Sequence, residues 1–138
     1  MLAEIKELQN GAVNQLIEAI KTQNKSSYTF RAPTGSGKTY MMADFMNRML
    51  EQNQKIIFLV SSLSKSDLAR QNYDKFCEYR DKNNFTNLNP YLINSDIAGE
   101  ERLHIPSDYN VYFNSTKIIV DYCFKIIEFR LCFNQRLY

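Results

Sequence analysis

The chain lacks a surplus of charge. Across 138 residues, 17 lysines and arginines face 15 aspartates and glutamates, for a formal net charge of +2. Residues 1–116 hold thirteen side chains of each sign, so the small excess lies wholly in residues 117–138. Composition therefore gives no evidence for a broad basic surface of the kind that holds duplex DNA non-specifically, and any nucleic acid would have to be held by local geometry. Cysteine is scarce and unpatterned. Cys77, Cys123 and Cys132 are odd in number and lack metal-ligand spacing, which fits free thiols in a reducing cytoplasm. The one histidine, His104, has no partner by spacing and reads as a surface loop residue. The N-terminal segment is charged and amphipathic from Glu4 onward, so it does not read as a cleavable signal peptide. No membrane partner is expected either, because Asp121, Lys125, Glu128 and Arg130 interrupt the most apolar stretch. Internal repeats are absent. A chain of this length has room for one domain with its own core. With 44% hydrophobic and 23% charged residues, its balance is that of a soluble globular protein.

Within those limits the chain alternates helical and extended patterns. Leu2, Ile5, Leu8, Ala12, Leu16 and Ile20 recur at helical spacing, widened by Val13 and Ile17, and predict a helix over about 2–22. Residues 27–32, rich in β-branched and aromatic side chains, predict a strand. Pro33 ends it, and the glycines at 35 and 37 let the backbone fold tightly. A second helix follows with Met42, Phe45, Met46, Met49 and Leu50 on one face, a stripe that reads as core packing. The continuous apolar run at 55–60 predicts a strand buried on both faces of a parallel sheet. Residues 61–64 read as a loop, and Ser64 or Ser66 as the N-cap of a helix over about 66–80. That helix would turn Leu68, Tyr73, Phe76 and Cys77 inward. The Asn-rich segment 81–90 reads as a loop between this helix and short strands at 91–93 and 111–113. This order predicts an α/β fold, a mainly parallel sheet flanked by helices.

The chemistry is concentrated in Ala32-Pro33-Thr34-Gly35-Ser36-Gly37-Lys38-Thr39. The phosphate-binding P-loop pattern is G-x-x-x-x-G-K-[ST] between a strand and a helix, and this run departs from it only at Ala32. Backbone N–H groups from Gly35 to Thr39 can turn around phosphates, and the following helix adds its positive end. Lys38 would reach the β- and γ-phosphates, and the Thr39 hydroxyl would take one position on Mg²⁺. Thr34, Gly35, Ser36 and Gly37 complete the candidate ATP-binding loop. The bland alternative, a Gly/Ser turn that only caps a helix, accounts for neither Lys38 nor the flanking elements.

The variant that starts with Ala and continues Pro-Thr-Gly-Ser-Gly-Lys-Thr resembles the superfamily-two helicases and related DNA translocases. Gln9 stands upstream where that superfamily carries an adenine-reading glutamine, and its amide offers the donor and acceptor that adenine presents. Val60-Ser61-Ser62-Leu63 with Leu68-Ala69-Arg70-Gln71 resembles the motif that touches the nucleic-acid backbone. Ser61, Ser62 and Ser64 either serve as capping and turn residues or, as the resemblance implies, hold a phosphate of a single strand. Arg70 reads as a solvated helix charge. Taken together, residues 2–116 are similar to the start of the motor in restriction (Res) subunits of type III restriction–modification systems, within the wider DEAD/DEAH-type group. The resemblance implies a P-loop NTPase fold, a partial first RecA-like lobe, with ATP and Mg²⁺ as cofactors. It also implies DNA as a partner, together with a modification (methyltransferase) subunit.

One part of that machinery is wanting. The motor's acidic motif is an apolar strand ending in Asp-Glu, and the only candidate here is Ile118-Ile119-Val120-Asp121. Asp121 suits a Mg²⁺-side carboxylate, but Tyr122 stands where the glutamate base belongs, and a phenol of reference pKa about 10 cannot serve near neutral pH. No arginine-bearing second lobe follows. From Lys117 to Tyr138 there is no Gly, Pro, Ala, Ser or Thr. Its pattern fits a helix, or a strand as far as about Asp121. Either the chain is a small P-loop protein with a degenerate acidic motif, or it is the N-terminal piece of a longer motor whose reading frame breaks near residue 116. We expect the second, with residues 1–116 as the helicase-type ATP-binding domain and 117–138 as an out-of-frame tail. The expected activity is weak nucleotide binding with negligible hydrolysis. A non-hydrolysing regulatory P-loop module is the alternative.

Overall fold

The computed structural model describes residues 2–115 apart from 24, 26–27, 34, 63–65, 94–105 and 107. Helical periodicity in the first segment becomes α1 (Leu2–Thr22), and the glycine turn runs into α2 (Lys38–Gln52). Strand β1 (Phe58–Ser62), helix α3 (Ser66–Lys82), and strands β2 (Pro90–Leu92) and β3 (Val111–Ser115) follow. The strands form a three-stranded sheet in the order β1-β3-β2, and both pairings are parallel. Parallel strands cannot be joined by a tight hairpin, and α3 supplies the crossover from β1 to β2, which lie on either side of β3.

The pleat sorts β3 between two faces. Val111 and Phe113 join Phe58 and Val60 in the main core, whereas Tyr112 packs with Ile93, Leu59, Tyr91 and Tyr109 on the opposite face. The main core is built around α2, which lies between α1 and α3 and buries Met41, Met42, Ala43, Phe45, Met46, Met49 and Leu50. The Met stripe expected at 42, 46 and 49 is therefore core. Phe76 of α3 meets Phe113 edge-on at 4.8 Å between ring centroids, and Phe45 meets Phe58 at 6.2 Å. Burying each such side chain stabilises the fold by roughly 1.5–3 kcal/mol.

Several boundaries and faces differ from the sequence reading. The apolar stripe of α1 is buried only in its second half, at Val13, Leu16 and Ile17; Leu2 and Leu8 are 76% and 74% exposed. No strand forms over residues 28–33. Tyr28, Phe30 and Ala32 pack against the core while Thr29, Arg31 and Pro33 face out, so the alternation is real but the hydrogen-bonded ladder is missing. A strand is defined by its partners, and within the described sheet β1 and β2 both pair with β3 instead. β1 starts at Phe58 instead of Lys55, because Lys55 N–H donates to the Asn53 side chain (3.0 Å) and Ile56 N–H to the Asn53 carbonyl (3.4 Å). It then continues through Ser61 and Ser62, which lie opposite Asn114 and Ser115. Helix α3 buries Ala69, Asn72 and Phe76, with Leu68, Tyr73 and Cys77 only half-buried. The tail, with Asp121, lies outside the described residues.

The Asn-rich segment is an ordered brace. Asn84 (φ 57) takes the left-handed conformation just past α3, a conformation in which asparagine is enriched. Asn87 N–H donates to the buried Asn47 side chain of α2 at 3.1 Å. The Asn110 amide accepts from Asn89 N–H at 2.7 Å and donates to the Asn87 carbonyl at 2.8 Å. Loop, α2 and the start of β3 are thereby joined by side chains that satisfy backbone groups no ladder reaches.

Four tyrosines are held protonated above the ordinary phenol range. Burial is the main cause at Tyr40, Tyr79 and Tyr112; at Tyr73 it is the hydrogen bond with Cys77. The folded chain keeps these protons at pH values where an unfolded phenol, of pKa about 10, has lost its own. Their contribution is thus fully present below about pH 10 and is lost as pH rises through the folded values. Phenolate absorbance from these four should accordingly lag free tyrosine and appear together with loss of helix signal in circular dichroism. Uniform titration at the free-phenol value with the helices intact would show that this packing is wrong.

Candidate nucleotide-binding site

Two glycines shape the loop. Gly35 and Gly37 sit at φ +82 and +85, a region that costs a residue with a Cβ about 1–2 kcal/mol. Between them the Ser36 N–H donates to the Pro33 carbonyl at 3.1 Å, and the Ser36 hydroxyl to the same oxygen at 2.5 Å. Pro33 and Ser36 are tied together in this way, and the Ser36 N–H is engaged in that bond. Gly37 then occupies the N-cap of α2, whose first i→i−4 bond runs from Met41 N–H to the Gly37 carbonyl at 2.9 Å.

The start of α2 is unusual in what it leaves open. Gly37 provides no side-chain cap, and no acidic residue stands in the first turn. The opening N–H groups of an α-helix have no intrahelical acceptor, and the helix dipole places partial positive charge on them. Lys38 and Thr39, both half-buried, are the first two residues of this helix. A positive helix end, a lysine and a threonine are thus carried by one turn, and these are the kinds of donor that phosphate oxygens take. The same set fits Mg²⁺ delivered by a nucleotide: the Thr39 hydroxyl would supply one protein oxygen and the phosphates others. Among the described residues no three His, Cys, Asp or Glu side chains come together as a metal group.

Gln9 lies directly against this loop. Its Nε2 donates to the Ser36 carbonyl at 2.9 Å, and a Cβ built on Gly37 would approach that nitrogen to 2.4 Å. Gly37 is therefore doubly constrained, by its backbone conformation and by the glutamine beside it. Ser36 takes one amide N–H of Gln9, an amide that carries a second N–H and a carbonyl oxygen as well.

Sequence patterning missed the residues that hold α1 and α2 together next to Gln9. Arg48 of α2 forks onto Asp44 through Nε (3.0 Å) and Nη2 (2.8 Å). The same guanidinium donates to Asn14 through Nη1 at 2.7 Å and to Asn10 through Nη2. The signal was present in two i, i+4 pairs, Asn10/Asn14 on one helix and Asp44/Arg48 on the other.

Other candidates are less closely placed. Ser61 and Ser62 lie on β1 itself, not in a loop, at the carboxyl end of the strand, and Ser61 is exposed. Parallel α/β sheets present ligands to that end of their strands. Arg70 is exposed on α3, consistent with a solvated charge. Thr34, Ser64, His104 and Asp121 lie outside the described residues. No helix among the described residues is long and apolar enough to cross a membrane.

A parallel α/β sheet flanked by helices, with a Gly-x-Gly-Lys-Thr turn opening α2, is the arrangement of a P-loop protein. Residues 2–121 match the family described as type III restriction enzyme, res subunit, and the chain belongs to that family. No curated protein and no solved structure matches it significantly.

Proposed function

We propose that this chain binds ATP with Mg²⁺ as the nucleotide half of a DNA translocase, forming the first part of a RecA-like lobe over residues 1–116. The observation that carries the reading is the uncapped, acid-free N-terminus of α2, fed by the turn through Gly35 and Gly37 and starting with Lys38-Thr39. In this reading Lys38 neutralises β- and γ-phosphate charge, Thr39 holds Mg²⁺, and the turn residues Thr34, Gly35, Ser36 and Gly37 shape the cradle. Bound Mg²⁺ would neutralise charge between the phosphates. The remaining N–H and carbonyl oxygen of Gln9 match adenine N7 and its N6 amine. Ser61, Ser62 and Ser64 would meet the backbone of a DNA strand, and family membership points to a modification (methyltransferase) subunit as protein partner.

Turnover is expected to be poor. Asp121 is the candidate Mg²⁺-side carboxylate, but Tyr122 replaces the glutamate that would orient water, so ATP is held more readily than it is cleaved. That substitution also favours a second reading, a nucleotide-responsive module that does not hydrolyse.

The two are separated by titrating a fluorescent ATP analogue with and without single-stranded DNA while monitoring phosphate release. Expected are saturable Mg²⁺-dependent binding, phosphate release near background, and a change in nucleotide affinity when DNA is present, since coupling between two ligands is reciprocal. Affinity indifferent to DNA would favour the regulatory module. Robust DNA-stimulated turnover would refute the non-hydrolysing part of the proposal, and absence of binding would refute all of it.

A further inference from the structure

The first half of α1 carries Gln9 with little beneath it. Leu2, Ile5 and Leu8 are exposed, and the buried contacts of the helix begin only at Val13. Gln9 therefore lies about 6 Å of helix rise beyond the nearest core anchor, where a small tilt of α1 would carry the amide away from the loop. What stands at that place is Arg48. Asp44 takes two parallel N–H bonds of the guanidinium and fixes its plane on α2. The Nη groups then bind Asn10 and Asn14, one turn apart on a single face of α1. With that face fixed, the direction of the adjacent Gln9 is fixed as well, and the Gln9–Ser36 bond forms at 2.9 Å.

We infer that Arg48 is a positioning residue for nucleotide recognition: by clamping Asn10 and Asn14 to α2 it holds Gln9 at the phosphate loop and so sets the preference for adenine over guanine. The inference rests on the reading of Gln9 as the adenine contact. The Arg48–Asp44 side chains are only 27% and 13% exposed, so losing the pair also costs stability, and the geometric consequence is read from the ATP-to-GTP ratio instead. Lysine does not substitute, because an ammonium group cannot present the planar fork that Asp44, Asn10 and Asn14 share.

The test compares equilibrium binding of fluorescent ATP and GTP analogues to the full chain in Mg²⁺, for wild type, Gln9→Ala, Arg48→Ala, Arg48→Lys, Asn10→Ala and the Gln9→Ala/Arg48→Ala double variant. Wild type should prefer ATP by about tenfold, the scale of one well-formed hydrogen bond, and Gln9→Ala should erase that preference. Both Arg48 variants should lower the ratio several-fold, and the double variant should fall no further than Gln9→Ala alone. Lys82→Ala, which breaks the exposed pair with Glu78 at 3.1 Å, should leave the ratio unchanged. Equal weakening of both nucleotides by Arg48→Ala and Arg48→Lys would mean a merely structural role and would overturn the inference. Should Arg48→Ala fail to fold, Arg48→Lys and Asn10→Ala decide the matter. A Gln9→Ala variant with its preference intact overturns the adenine reading and the inference with it. Loss of preference in Gln9→Ala but not in the Arg48 variants overturns the inference alone. Wild-type chain that binds neither nucleotide overturns both this inference and the proposed ATP site.

Discussion

Lys38→Ala is expected to lower ATP affinity by roughly 10- to 150-fold, the range of a charge-assisted hydrogen bond. The loop backbone survives this change, because its shape comes from Gly35, Gly37 and the Ser36–Pro33 bonds. What is lost is the ammonium group with the methylene stem that carries it. Stability should hold or rise slightly, since Lys38 places a positive charge at the positive end of α2, an unfavourable position in the absence of an anion. Affinity and stability are therefore expected to move independently, which separates a functional lysine from a packed one. Lys38→Arg should not restore binding, because a guanidinium is broader and planar where the site calls for a compact charge. Titration with a fluorescent ATP analogue, paired with urea unfolding of each variant, measures both quantities. If the turn only caps a helix, Lys38→Ala will leave nucleotide titrations as they were.

The helices and the Gly-Lys-Thr turn were legible in the sequence because their signals are local. Glycine at φ +82 and +85, a lysine and a threonine opening a helix, and the Met42/Met46/Met49 stripe all follow from residue type and spacing. What could not be read depends on partners far along the chain. Tyr28, Phe30 and Ala32 alternate as a strand should, yet no alternation reveals whether a neighbouring strand stands ready to complete the ladder. The apolar stripe of α1 predicted burial along its whole length, but burial requires an opposing surface, and α2 offers one only from about Val13 onward. Hydrophobicity likewise ended β1 too early. Ser61 and Ser62 are strand residues because Asn114 and Ser115 lie beside them, a register that no window over residues 55–64 contains. The Arg48 clamp spans 34 and 38 residues to Asn14 and Asn10. Each half of it was visible as an i, i+4 pair, and only the packing of α1 on α2 joins them.

The second large effect separates the two glycines of the loop. Gly35 and Gly37 share a left-handed backbone, so alanine at either should cost about 1–2 kcal/mol from that conformation alone. Their surroundings differ. A Cβ on Gly35 meets nothing within 4 Å, whereas one on Gly37 would stand 2.4 Å from Gln9 Nε2. Gln9 is flexible at its far end and can withdraw, but only by giving up its bond to the Ser36 carbonyl. Gly37→Ala should therefore carry two penalties. It strains the residue that opens α2, and it expels the amide proposed to read the base, so nucleotide affinity should drop by more than tenfold. Gly35→Ala should carry the conformational cost only. The difference between the two variants isolates the contribution of Gln9, and repeating both in a Gln9→Ala background should make that difference vanish. Should Gly37→Ala remain the more damaging of the two without the glutamine, the crowding at Gly37 must arise elsewhere, and the close approach of Gln9 to the phosphate loop would lose its place in the account of this site.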